Sequence, residues 1–112
     1  MTAVVPEVVS LCGSSRLRDV FEREQRRLTL EGRIVISLGF FEQPRGAAAP
    51  AADGVDLGEL HKREIDLSQR IHVVNVGGHV GRSTRSEIKH AERHGIAVAY
   101  MEPRQDRSPT AR

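Results

Sequence analysis

The fold predicted for this chain is a three-layer α/β sandwich around a four-stranded parallel sheet, and three observations predict it. Short runs rich in Val, Ile and Leu alternate with longer amphipathic stretches, glycines punctuate both, and the order reads βαβ, loop, αβαβ. Right-handed crossovers then give a strand order of 2-1-3-4, with the reversal between the first and third strands. Ligands of open parallel sheets bind at such a reversal, beyond the carboxyl ends of the strands.

Glu7 to Cys12 is an apolar run that ends at Gly13-Ser14-Ser15, and Leu17, Val20, Phe21, Leu28 and Leu30 then recur among charges as in a helix. Glu31-Gly32 supplies a glycine stop, after which Arg33 to Gly39 is β-branched enough for a second strand. Phe40 to Val55 holds Pro44, Gly46, an alanine run, Pro50 and Gly54 without a sustained period, and is expected to be a mobile loop. A helix starting near Asp56 carries Leu57, Leu60, Ile65 and Leu67; strand Ile71 to Val76, the Gly77-Gly78 turn and a helix from about Thr84 to His94 follow. Gly95 closes that helix, Ile96 to Tyr100 is the last strand, and Pro103 and Pro109 break a polar tail.

The 112 residues therefore make one domain, 1–102, with 103–112 as the tail. Tryptophan is absent and aromatics are 4% of residues, so Val, Ile, Leu and Ala must build the core, and a core this small gains from dimerisation. The net charge is only +2, with arginines scattered among glutamates, which points away from a nucleic-acid polymer as partner. The lone Cys12 excludes an internal disulfide framework, and no signal peptide or membrane-length apolar span is present, so a cytoplasmic protein with no membrane partner is expected.

Two segments carry the candidate chemistry, and each has a plain structural alternative. Gly13-Ser14-Ser15-Arg16 opens a helix whose free N–H groups and dipole favour an anion; alternatively, Ser15 is only a helix cap. Thr84-Arg-Ser-Glu87 has capping-box spacing, yet the preceding glycines and the opposing strand end make Glu87 a carboxylate able to face a ligand. Asp66 is a second candidate acid, although a helix antiparallel to the strands places its C-terminal end at the edge away from the crevice. His90 and His94 have metal-ligand spacing without an evident third ligand, so no metal is expected; His79 lies in the glycine-rich turn, and His61 and His72 receive no role.

Taken together, Cys12-Gly13-Ser14-Ser15-Arg16, Glu64-Ile-Asp66-Leu and the glycine-rich turn ending in Ser86-Glu87 resemble the nucleoside 2-deoxyribosyltransferase-like superfamily. The resemblance is to its small N-glycoside hydrolases, which release the base from nucleoside 5′-monophosphates, and covers Val8 to about Glu102. It implies a Rossmann- or flavodoxin-like fold, a homodimer or higher homo-oligomer, a small nucleoside or nucleotide as ligand, and no cofactor. It also implies that Glu87 attacks C1′ of the sugar and Asp66 assists the leaving base. Cys12, Gly13, Ser14, Ser15, Arg16, Gly77, Gly78, Ser83 and Thr84 would hold the substrate. A carboxylate suits this chemistry because C–N cleavage passes through an oxocarbenium-like state that an anion stabilises or traps. Hydrolysis and transfer to another base both remain open.

Two rival functions accompany this expectation. Cys12 to Arg18 also fits C-x5-R, the phosphate loop of low-molecular-weight tyrosine phosphatases, but Asp19 follows the arginine and no Asp-Pro acid occurs. A domain that senses a nucleotide without turning it over would keep the same fold.

Overall fold

Side-chain alternation in the two central strands sets the layers. In the computed structural model, which describes residues 5–14, 16–37 and 56–103, β1 (Val8–Gly13) and β3 (Arg70–Val74) lie side by side at the centre of the sheet. β2 (Ile34–Ile36) flanks β1, β4 (Ala97–Tyr100) flanks β3, and every pairing is parallel, giving the order β2-β1-β3-β4. Cys12, Ile71 and Val73 point to one face, where they pack with Ile65, Val80, Ile88 and Ala91 beneath α2 (Leu57–Asp66) and α3 (Arg82–Arg93). Val9, Leu11 and Val74 point to the other, where Phe21 and Leu28 of α1 (Arg18–Leu30) cover them. This is the three-layer α/β sandwich and strand order that the sequence predicts. Among the described residues no helix is long and apolar enough to cross a membrane.

Local chemistry accounts for the boundaries. α1 ends where Gly32 takes φ +92°, a left-handed conformation that glycine adopts without a Cβ penalty. Asp56 caps α2 by accepting the Glu59 N–H at 3.1 Å. β3 stops at Val74, two residues short of the predicted end, because Asn75 and the Val76–Gly78 3-10 turn redirect the chain. The N-cap of α3 is Gly81 and the helix starts at Arg82, two residues before the predicted start. Ser15, the 40–55 loop and tail residues 104–112 lie outside the described residues.

Register brings the two central strand ends level. Gly13 stands opposite Val74, and a Cβ on Gly13 would lie 2.9 Å from both the Val74 carbonyl and the Phe21 ring. Only glycine permits this approach without displacement. Beyond that point the chain leaves β1 towards α1 on one face and leaves β3 towards α3 on the other. A crevice opens between them.

Candidate functional site

A cavity of about 760 Å³ occupies this crevice. Gly13, Ser14, Arg16 and Phe21 line it from the β1 side, and Val74, His79, Val80, Arg82, Ser83, Thr84 and Glu87 from the β3 side. Leu57, Gly58 and His61 close it from the N-terminal half of α2.

Glu87 lies in the second turn of α3 and is only 8% exposed. Its partner is not the start of its own helix: Oε2 lies 3.0 Å from Nδ1 of His61, on α2 across the crevice. Gly81 is the N-cap, with no side-chain hydrogen bond there, so the capping-box alternative does not describe this glutamate. The other oxygen, Oε1, is buried with no hydrogen-bond partner among the described residues. The carboxylate thus has one anchored oxygen and one buried oxygen without a hydrogen-bond partner among the described residues, in a residue that lines the cavity.

The proton inventory of His61 follows from its partners. A backbone carbonyl only accepts, so Nε2–H donates to the Leu11 oxygen at 3.1 Å. The Nδ1 contact to Glu87 then needs a second proton. Burial alone would lower the pKa of His61, but the hydrogen bond and charge of Glu87, with help from the Glu64 charge and the Leu11 carbonyl, raise it above the ordinary histidine value. An imidazolium facing a carboxylate is the form this environment favours.

The cavity also has the makings of an anion site. α1 and α3 both begin at its wall, with Leu17 and Gly81 at their N-caps and no side-chain cap hydrogen bond from either. Arg16 and Arg82 stand at the same wall, opposite in sign to any phosphate those N–H groups would receive. Phe21, Val74 and Val80 supply an apolar surface beside them.

The structure therefore gathers Gly13, Ser14, Arg16, Ser83, Thr84 and Glu87 around one cavity, while Cys12, Asp66, Gly77 and Gly78 do not line it and Ser15 lies outside the described residues. Asp66 is corrected: it ends α2 at the opposite edge of the sheet, where Oδ1 accepts from His90 Nε2 at 2.6 Å and Oδ2 pairs with Arg63 at 3.2 Å. The His90 hydrogen bond, with Arg63 and the neighbouring histidines, holds its carboxyl below the usual range. Gly77 and Gly78 do not line the cavity either. Their positive φ values turn the chain, and the Gly77 N–H donates to the Glu102 carboxylate at 3.1 Å. Buried Asn75 holds the same glutamate through both backbone groups, each at 2.8 Å.

Cys12 is likewise corrected as a ligand contact. It is wholly buried beneath His61, with Sγ 3.9 Å from Nε2, and burial followed by the Glu87 charge pushes its thiol well above the usual value. A phosphatase nucleophile needs the reverse, an exposed thiolate.

Two groups bring three metal-ligating atoms within 4.8 Å of one another. In Cys12, His61 and Glu87, the imidazole already presents Nδ1 to Glu87 at 3.0 Å and Nε2 to the Leu11 carbonyl at 3.1 Å and to Cys12 at 3.9 Å. In Asp66, His90 and His94, the aspartate is the third donor that the histidine spacing alone does not reveal. His94 Nδ1–H donates to the His90 carbonyl at 2.8 Å, and the two rings stack at 4.3 Å, so hydrogen bonds and ring contact close this group.

His61 is the member that sequence reasoning missed. Its available signal was position: it lies five residues after the Asp56 cap, on the first turns of a helix that starts at the ligand edge of the sheet. No protein-family model, curated protein or solved structure matches this chain.

Proposed function

We propose that the chain is an N-glycosidase of the nucleoside 2-deoxyribosyltransferase-like kind, cleaving the base–sugar bond of a nucleoside or its 5′-monophosphate. The observation that carries this reading is Glu87: a buried carboxylate on a cavity shared by two strand ends, anchored by His61 and with one oxygen unpaired. In this scheme a carboxylate oxygen of Glu87 bonds to C1′ as the C–N bond breaks, and the electron pair leaves with the base. His61 orients the carboxylate through its Nδ1 contact. Water then cleaves the glycosyl ester, releasing the sugar and restoring the carboxylate; an acceptor base in place of water makes the reaction a transfer.

The remaining wall residues take roles by charge and position. Arg16, Arg82, Ser14 and the first N–H groups of α3 receive the phosphate. Phe21, Val74 and Val80 face the base. With Asp66 at the far edge, protonation of the departing base falls to His79, the exposed histidine on the cavity wall.

The test is base release from a panel of nucleoside 5′-monophosphates, followed by chromatography. Release that is lost in Glu87→Gln supports the reading; no release from any of them, or release unchanged in Glu87→Gln, ends it. One observation favours a second reading, that of a nucleotide sensor: Oε1 is screened as well as unpaired, so the His61–Glu87 pair can remain intact beneath a bound ligand. Tight binding of a nucleotide by the wild type without any product selects that alternative.

A further inference from the structure

A second concavity, of about 500 Å³, lies between α2 and α3 next to the first. Lys62, Arg82, Arg85, Lys89 and Arg93 line it, with Ser86 and His90, and no carboxylate does. Four of these cations belong to α3 at spacings of three, four and four residues, so they form one stripe along a helix face. The stripe runs roughly 16 Å along the axis, taking 1.5 Å of rise per residue. None of the five is paired with an acid among the described residues.

This arrangement opposes the helix that bears it. Like charges three and four residues apart repel, and α3 has Arg82 and Arg85 near its positive end with no acid in its first turn. On α1 and α2, by contrast, Arg18 with Glu22, Arg27 with Glu31 and Arg63 with Glu59 are each compensated one turn away. The α3 stripe therefore lacks internal neutralisation in a protein whose net charge is only +2. Arg82 lines both concavities, so an anion that starts at the head of α3 continues into the groove without leaving cationic surface.

We infer that the α2–α3 groove binds the outer phosphates of a nucleotide seated in the main cavity, making the preferred ligand a nucleoside carrying two or more 5′-phosphates. This rests on the proposed nucleotide site and extends it. A monophosphate is already met by Arg16, Arg82 and the head of α3, which leaves Lys62, Arg85 and Lys89 for a second and third phosphate. The groove holds no Phe, Tyr or Trp on which successive bases would stack, which favours a phosphate chain over a single-stranded polynucleotide.

The experiment measures calorimetric binding of the same nucleoside as mono-, di- and triphosphate to full-length Glu87→Gln, together with base release by the wild type. The expected result is about tenfold tighter binding of the diphosphate than of the monophosphate, the size of one added charge-assisted contact. That preference should vanish in Arg85→Glu/Lys89→Glu, and in the milder Arg85→Gln/Lys89→Gln should the reversal not fold. Equal affinity for mono- and diphosphate overturns the inference, as does a preference unchanged by both double variants. Tight binding of a single-stranded oligonucleotide with no discrimination among the mononucleotides overturns it in favour of a polymer. Failure here is distinct from failure of the glycosidase: base release from the monophosphate without a diphosphate preference defeats only the groove. A groove-dependent preference without base release defeats only the catalysis.

Discussion

Replacing His61 with Gln isolates the interaction on which the site depends. The substitution removes the imidazolium that faces Glu87 at 3.0 Å while keeping a helix-compatible side chain of similar length. Removing one partner from a buried ion pair typically costs about 3–5 kcal/mol. A glutamine amide that restores one hydrogen bond returns about 1 kcal/mol, so the expected loss is about 2–4 kcal/mol near pH 6. The pH dependence identifies the charge. Because the folded-state pKa of His61 is raised, its stabilisation is fully present below the unfolded value and is lost as pH rises through the folded value. Once the pH is well above that raised folded-state value the wild-type ring is neutral, and the difference between the proteins should shrink to about 1 kcal/mol, the worth of a neutral hydrogen bond. Urea denaturation of both proteins at the two pH values measures this directly, since titrations common to both cancel in the difference. An equal loss at both would refute the reasoning, because it would put the shared proton on Glu87 beside a neutral histidine.

The same geometry gives further expectations. Asp66→Asn should leave base release within about twofold of wild type, since Asp66 does not line the main cavity and is held by His90 and Arg63; a large loss in single-turnover assays would return it to the site. His79→Gln should lower kcat most for nucleosides with the poorest leaving base, and a uniform effect across bases would argue against proton donation. Gly13→Ala should cost about 1–3 kcal/mol by overpacking against the Val74 carbonyl and the Phe21 ring, read by thermal or urea unfolding. Cys12 should resist thiol-specific labelling in the native protein and react only on unfolding, being both wholly buried and raised in pKa; rapid native-state labelling would contradict its placement.

The sheet was legible because its signals are local. Val9 and Leu11 alternate with Ser10 and Cys12, Gly32 and Gly95 stop helices where left-handed φ is needed, and the order of elements leaves few topologies. The start of α3 was less legible, because its N-cap is a glycine without a capping side chain while Thr84 and Glu87 imitate a capping box three residues on. The site was readable only in halves. Strand ends mark Gly13 and Glu87, but His61 meets Glu87 across 26 residues of chain, and no local period encodes that meeting. Asp66 attracted attention by lying just before an apolar strand, which is the place that an antiparallel helix carries to the wrong edge. The α3 cations were hidden differently: Glu87 and Glu92 interleave with them along the chain, so composition looks balanced while one helix face is wholly basic.

A second buried histidine–glutamate pair shows what is particular to the first. Under α1, His72 Nε2 donates to Glu24 at 2.8 Å, and both residues are about as buried as His61 and Glu87. There, however, Glu24 also accepts from Arg27 at 2.9 Å. Burial raises the Glu24 pKa, but the Arg27 and His72 hydrogen bonds outweigh it and keep the carboxyl below its ordinary value. Burial, reinforced by the charges of Arg27 and Arg70, pulls His72 down even though Glu24 opposes them, so this ring stays neutral with Nδ1 unpartnered. The glutamate is neutralised by an arginine that cannot give up its proton, and it lines neither of the two cavities described above. Among the described residues Glu87 has no arginine partner; its counter-charge is a histidine, a cation that can lose its proton within the range where enzymes work. The two pairs use the same residue types at nearly the same separation, and they differ in whether charge can leave and whether a ligand can arrive. Only the pair on the α2–α3 face satisfies both conditions, which is why the chemistry is assigned to Glu87 and His61 rather than to Glu24 and His72.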